Sequence, residues 1–176
     1  MTPAPTDLRG ELASAGIDAV FDHTAVAARR LLDLLPFYRN LLGGKIANGG
    51  DNPRVGYRAM QLAYRDGSKI ELMEPLPGST FFDRFFARGG GLHHVTFKVA
   101  DIGLAIDALQ AGGWPTTGLF LDSDDWKEVF LHPRDASGVL VQLAQARPGY
   151  PPPPGDLTVE QVLAGRGECG NGIPSL

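Results

Sequence analysis

Residues 91–102 read GLHHVTFKVADI, and residues 21–27, FDHTAVA, repeat the beginning of this stretch. His23 and His94 are the matching positions, 71 residues apart. The same offset aligns Glu71 in SKIEL with Gln142 in VLVQL, so a second segment of each copy agrees with the first. Two segments that share one offset indicate a structural module duplicated within the chain.

Each copy has the same order of secondary-structure signals: a strand, a helix that ends at two glycines, and three short strands. The predicted fold class is therefore α+β, with two βαβββ modules. The predicted boundaries are an N-terminal extension (1–20), a first module (21–78), a linking helix (79–91), a second module (92–146) and a Pro/Gly-rich C-terminal tail (147–176).

Local patterns predict the elements of the first module. The leucine spacing in residues 30–42 predicts one helix, and residues 45–48 predict a short strand followed by a loop, NGGDNPR, at 48–54. The linking helix carries four phenylalanines on more than one face, so part of it should be covered by the core or by a second subunit in a homodimer. These residues are Phe81, Phe82, Phe85 and Phe86.

Alternation along the strands predicts which side chains share a face. His94 shares its face with Thr96 and Lys98, whereas His93 shares the opposite, apolar face with Val95 and Phe97. His93 is therefore predicted to be a core histidine that could orient its neighbour.

The duplication places four polar side chains at equivalent points of the first and last strands of the two modules. They are His23, Glu71, His94 and Gln142. Two imidazoles, a carboxylate and an amide oxygen are suitable ligands for a divalent metal such as Mn, Fe, Co, Ni or Zn. Four protein ligands on an octahedral ion leave two positions for water or for a bidentate substrate.

Composition excludes several classes of function. The chain has 176 residues, 43% hydrophobic and 20% charged, and a net charge of −4, so it lacks the basic surface expected of a nucleic-acid or membrane-surface binder. No apolar run is long enough for a transmembrane helix, and the single Cys169 cannot form an internal disulfide. We therefore expect a cytoplasmic protein with a small-molecule substrate.

Five stretches resemble the vicinal oxygen chelate superfamily (glyoxalase, bleomycin resistance and extradiol dioxygenase proteins), and within it the methylmalonyl-CoA epimerase branch. They are FDHTAVA, PFYRNLLGG, KIELMEPLPGS, GGGLHHVTFKVADI and FLHPRDASGVLVQLAQ. The resemblance implies a curled mixed sheet around a cavity, with His23, Glu71, His94 and Gln142 as metal ligands. It also implies a substrate, a carboxylic acid or an acyl thioester, that binds the metal through two nearby oxygens.

One position departs from the resemblance. Epimerase-like members usually carry a glutamate in the last strand, where this chain has Gln142, and an amide cannot move protons. Glu71 is then the candidate catalytic base. A second acid would have to come from outside the ligand set, and the sequence singles out none of the candidates. They are Tyr57, Tyr64, Lys98, Lys127 and Glu128.

The leading interpretation is a metal-dependent isomerase, epimerase or lyase that removes a proton next to a carbonyl and stabilises the enolate. A glyoxalase-like shift on one face needs only one base, whereas epimerisation needs two. Two alternatives remain open at this point: a non-haem iron dioxygenase, which also uses two histidines and a carboxylate, and a non-enzymatic binder of small molecules.

Overall fold

The computed structural model describes residues 17–151 and 155–166, so most of the N-terminal extension and part of the C-terminal tail lie outside the described residues. The strands are β1 (Val20–Ala27), β2 (Lys45–Asn52), β3 (Tyr57–Ala63), β4 (Lys69–Pro75), β5 (Gly91–Lys98), β6 (Thr116–Phe120), β7 (Trp126–Leu131) and β8 (Leu140–Ala146). The helices are α1 (Leu31–Leu35), a π-helix (Pro36–Leu41), α2 (Asp83–Ala87), α3 (Ile102–Ala111) and α4 (Val159–Leu163).

The eight strands form one mixed sheet in the order β2-β3-β4-β1-β5-β8-β7-β6. Within each module the first strand runs parallel to the last, as β1 does to β4 and β5 does to β8. The two modules join where β1 and β5 pair antiparallel. The repeated topology confirms the predicted α+β fold with two βαβββ modules. The pairing also places the first and last strands of both modules side by side in the middle of the sheet.

Three apolar clusters hold the sheet in place. One contains Ala25, Met73 and Phe130 and packs against the linking segment through Phe82, which is 1% exposed. A second packs α1 and α4 against β3 and β4, and a third packs α3 against β7 and β8. The remaining phenylalanines of the linking segment are half-buried against the first cluster, so the core accounts for much of their burial.

The structure differs from the local predictions in the first module. The predicted single helix changes to π-helical geometry at Pro36, which has no N–H to continue the α-helical bonding. The predicted loop at 48–54 is largely strand, because β2 pairs with β3 through Asn52 and Tyr57. Only residues 83–87 of the linking segment are α-helical. No helix in the described part of the chain combines the length and apolarity needed to span a membrane.

Helix α4 of the C-terminal tail packs on the first module. Thr158 caps α4 in a reciprocal capping box with Gln161. Val159 and Val162 enter the cluster beneath β3 and β4, and Arg58 donates a 2.6 Å hydrogen bond to the carbonyl of Leu163. The close approach depends on Gly49, because a Cβ at this position would lie 3.0 Å from Val162.

Replacing Val162 with Ala is expected to lower the free energy of unfolding by about 2 kcal/mol, since the side chain is fully buried and its loss leaves a cavity. Chemical denaturation followed by circular dichroism measures the change. The matched substitution Val20→Ala, at a position 61% exposed, should change stability by less than about 0.5 kcal/mol. Equal effects at the two positions would show that α4 contributes nothing to the core.

Candidate metal centre and active site

Three adjacent strands position the central side chains. His23 lies on β1, Glu71 on the neighbouring β4 and His94 on the neighbouring β5. Ala25 of β1 is the register partner of Glu71 on one side and of His94 on the other. The three residues therefore meet on one face of the sheet, which is the convergence that the duplicated sequence predicts.

The ligand atoms of His23, Glu71 and His94 all lie within 4.8 Å of one another. The Nε2 atoms of His23 and His94 lie 3.9 and 3.7 Å from Oε2 of Glu71. Ligands bound at about 2.1 Å to one ion are separated by about 3 to 4.2 Å, so the two distances to Glu71 suit a shared cation. His94 Nε2 is also buried without a hydrogen-bond partner among the described residues. These three residues therefore fit a divalent metal.

The imidazole of His23 is oriented from its other nitrogen. His23 Nδ1 lies 2.7 Å from Oδ2 of Asp22, whose other oxygen contacts Lys69 at 2.7 Å and Lys98 at 3.2 Å. Burial alone would raise the pKa of Asp22, but the hydrogen bonds from His23 and Lys69 outweigh it and hold this pKa well below its usual range. An ionised Asp22 fixes the proton on Nδ1 and leaves the Nε2 lone pair of His23 facing the cluster.

His94 is oriented in a similar way by its neighbour. Its Nδ1 lies 3.0 Å from Nδ1 of His93, whose ring packs against Phe82 and Phe85. Burial lowers the pKa of His93 to about 4 and holds the pKa of His94 well below its ordinary value, so both rings are neutral at pH 7. A proton shared between the two Nδ1 atoms leaves Nε2 of His94 available as a metal ligand.

Replacing His93 with Leu is expected to weaken metal binding by about 10- to 100-fold, because His94 loses the partner that fixes its ring. Titration of the chelator-treated protein with Co²⁺ measures the affinity. Phe85→Leu is the matched control, since it removes a ring contact with His93 but keeps the bond between the two Nδ1 atoms. An affinity equal to that of the wild type in the His93 variant would contradict this orienting role.

Gln142 lines the same cavity, but its amide is hydrogen-bonded to other side chains. Its Oε1 accepts a hydrogen bond from Thr96, and its Nε2 donates a 2.6 Å hydrogen bond to Oε2 of Glu128. Thr96 Oγ1 also lies 3.1 Å from Nε2 of His23. The predicted role of Gln142 as a fourth metal ligand therefore stays a prediction, and ligation would require its oxygen to leave Thr96.

The cavity that contains these residues measures about 40 Å³, which is room for an ion and one or two water molecules. Three of the five second-acid candidates line it: Tyr57, Lys98 and Glu128. Tyr64 instead donates a hydrogen bond to the carbonyl of Tyr38. The lining also includes Tyr150 and Pro151 from the C-terminal tail. No pattern in the sequence points to these two residues, because polyproline composition gives no signal of where a segment docks.

The fold and the cluster together define a class of proteins: paired βαβββ modules around a site able to bind a metal. A family profile described as the Glyoxalase/Bleomycin resistance protein/Dioxygenase superfamily matches residues 22–130. The chain belongs to this superfamily, as the resemblance implied.

Similar proteins within the superfamily carry a narrower name. The chain is 32% identical over 129 residues to the ethylmalonyl-CoA/methylmalonyl-CoA epimerase of Cereibacter sphaeroides, covering 70% of this chain and 96% of the relative. It is 28% identical over 157 residues to human mitochondrial methylmalonyl-CoA epimerase, covering 82% and 88% of the two chains. These relatives support an epimerase-like function.

Solved structures agree with the sequence relatives. The methylmalonyl-CoA epimerase of Mycobacterium tuberculosis superposes with a TM-score of 0.65 at 26% identity, covering 76% of this chain and 91% of that one. A variant of the Streptomyces coelicolor enzyme in complex with 2-nitronate-propionyl-CoA superposes with a TM-score of 0.62 at 28% identity, covering 72% and 96%. The paired-module fold is thus shared with chains crystallised with an acyl-CoA compound.

Proposed function

We propose that this protein is a metal-dependent epimerase that inverts the α-carbon of an acyl-CoA thioester of the methylmalonyl-CoA type. The observation that carries the proposal is the cluster of His23, Glu71 and His94, in which Nε2 of His94 is buried without a hydrogen-bond partner among the described residues and lies 3.7 Å from Oε2 of Glu71. The relatives named as epimerases support the choice of substrate class.

His23, Glu71 and His94 would hold the ion, which we expect to be Mn, Fe, Co, Ni or Zn. When bound, it supplies Lewis acidity, which lowers the free energy of negative charge on a carbonyl oxygen. Two neutral imidazoles and one carboxylate leave one positive charge uncompensated, and this suits a substrate group that becomes negative during the reaction. Asp22 and His93 keep the two imidazoles in the required orientation.

Glu71 is the proposed base. It takes the proton from the α-carbon, and the electrons of the broken C–H bond move to the carbonyl oxygen, giving an enolate. Burial raises the pKa of Glu71 above its ordinary value, although the hydrogen bond from Gln61 opposes this shift.

Deuterium exchange tests the proposal directly. Protein loaded with Co²⁺ or Mn²⁺ is incubated in D₂O with the separate epimers of methylmalonyl-CoA and ethylmalonyl-CoA, and mass spectrometry and chiral chromatography follow the α-carbon. We expect both deuterium incorporation and inversion, and loss of both when a chelator removes the ion. Absence of exchange with every thioester would overturn the proposal, and oxygen uptake by the ferrous protein would favour a dioxygenase instead.

A further inference from the structure

Glu128 is a second buried carboxyl group in the cavity, and the role proposed for Glu71 as the base gives it no function. It lies on β7 and is 1% exposed, and it lines the same cavity as Glu71. Its Oε2 accepts hydrogen bonds from Nε1 of Trp126 and from Nε2 of Gln142, each 2.6 Å long. Its Oε1 is buried without a hydrogen-bond partner among the described residues.

This arrangement lowers the stability of the folded protein. A buried carboxyl group loses its hydration, and an oxygen that no protein group contacts recovers none of that free energy. Two donors fix one oxygen of Glu128 in place, while the other keeps the capacity to contact a bound molecule.

The position of Glu128 complements that of Glu71. Glu71 belongs to the last strand of the first module, whereas Glu128 belongs to the second module, beyond β1, β5 and β8 in the sheet. The two side chains line one cavity from these separate strands. A substrate bound between the modules would therefore meet one carboxyl group from each.

The neighbouring strand, β8, places Gln142 beside the carboxyl group of Glu128. The register pairs Phe130 with Gln142 and Glu128 with Ala144, so Glu128 lies diagonally across from Gln142 on the same face. The amide of Gln142 cannot exchange a proton with the α-carbon, but its Nε2 donates a hydrogen bond that holds the carboxyl group of Glu128. The second module thus keeps an acidic group in the cavity on β7, although its last strand has none at position 142.

We propose that Glu128 is the second acid–base residue of the epimerisation and serves the face of the α-carbon opposite to Glu71; this inference rests on the proposed function. Glu71 removes the proton from one face, and the enolate forms. The O–H of Glu128 then gives its proton to the other face, a new C–H bond forms, and the electrons return from the carbonyl oxygen. Glu71 ends protonated and Glu128 ionised, and proton exchange with water restores both.

The test compares inversion with exchange in the isosteric variant Glu128→Gln, which can still accept the hydrogen bonds of Trp126 and Gln142. In D₂O, the metal-loaded variant should still exchange the α-hydrogen of one methylmalonyl-CoA epimer through Glu71, within about threefold of the wild-type rate. Inversion should fall by about 100-fold, because the opposite face loses its proton donor. A structural role would lower both rates together, so the ratio of the two rates is the decisive readout.

Two further variants complete the experiment. The double variant Glu128→Gln with Gln142→Glu returns a carboxyl group to the cavity from β8 and should regain at least tenfold in inversion over Glu128→Gln. Asp124→Asn makes the same chemical change at an exposed position before β7 and should leave both rates unchanged.

Each remaining result counts against a particular claim. If Glu128→Gln inverts the substrate at the wild-type rate, if exchange and inversion fall in parallel, or if the double variant regains nothing, the role of Glu128 is refuted. If the wild-type protein neither exchanges nor inverts any of the thioesters, the proposed function itself fails. The two failures are distinguished by the wild-type measurement alone.

Discussion

Glu71→Gln is expected to lower inversion, and α-hydrogen exchange of the epimer that Glu71 deprotonates, by about 10³-fold, because the amide can still contact a metal but cannot take a proton. Metal affinity should fall but remain measurable, since His23 and His94 keep their orienting partners. Exchange and inversion assays in D₂O measure the first effect, and Co²⁺ titration measures the second. Loss of exchange with that epimer separates this variant from Glu128→Gln, in which exchange of the same epimer persists.

Glu74→Gln is the matched control for the base. Glu74 lies three residues further along β4 and accepts hydrogen bonds from the backbone N–H of Leu31 and from Arg58. Its replacement should lower the free energy of unfolding without changing the rate of inversion. Wild-type exchange in Glu71→Gln would remove Glu71 from the mechanism, whatever its role in holding the metal.

His94→Ala is expected to weaken metal binding by more than about 100-fold, because removal of a ligand costs more than removal of a partner that orients it. Activity that depends on the metal should be lost with it. Cobalt titration and metal analysis after dialysis measure the effect. Circular dichroism checks that the variant stays folded, because the substitution also removes the hydrogen-bond partner of Nδ1 of His93.

His132→Ala provides the comparison for that ligand. His132 lies at the turn after β7, where its Nδ1 accepts a hydrogen bond from the backbone N–H of Arg134, and it is not among the residues that line the cavity. Its removal should leave metal affinity unchanged. If His94→Ala bound cobalt as tightly as His132→Ala, the proposed metal centre would be wrong.

The duplicated pattern predicted the centre of the fold because the positions of the central side chains depend on strand register alone. A common offset placed His23 and His94 on equivalent strands, and alternation directed both towards one face. Glu71 joined them because the last strand of a module pairs with the first. The contacts of the Gln142 amide with Thr96 and Glu128 could not be predicted, because they form only when strands β5, β7 and β8 are side by side.

The sequence pattern could not predict features that depend on how the C-terminal tail docks or on how the sheet curves. Composition describes the C-terminal tail as proline-rich, but the seating of α4 depends on the space left by Gly49 in β2. The second acid could not be identified from the sequence for the same reason. Lys127 and Glu128 are adjacent polar residues in the sequence, and only the curl of the sheet decides that Glu128 is buried in the cavity.

Anomalous X-ray diffraction from crystals grown with Mn²⁺ or Co²⁺ would locate the metal itself. We expect a single strong anomalous peak within about 2.2 Å of Nε2 of His23, Nε2 of His94 and a carboxylate oxygen of Glu71. A peak bound to other side chains, or no peak between these three residues at saturating metal, would contradict it.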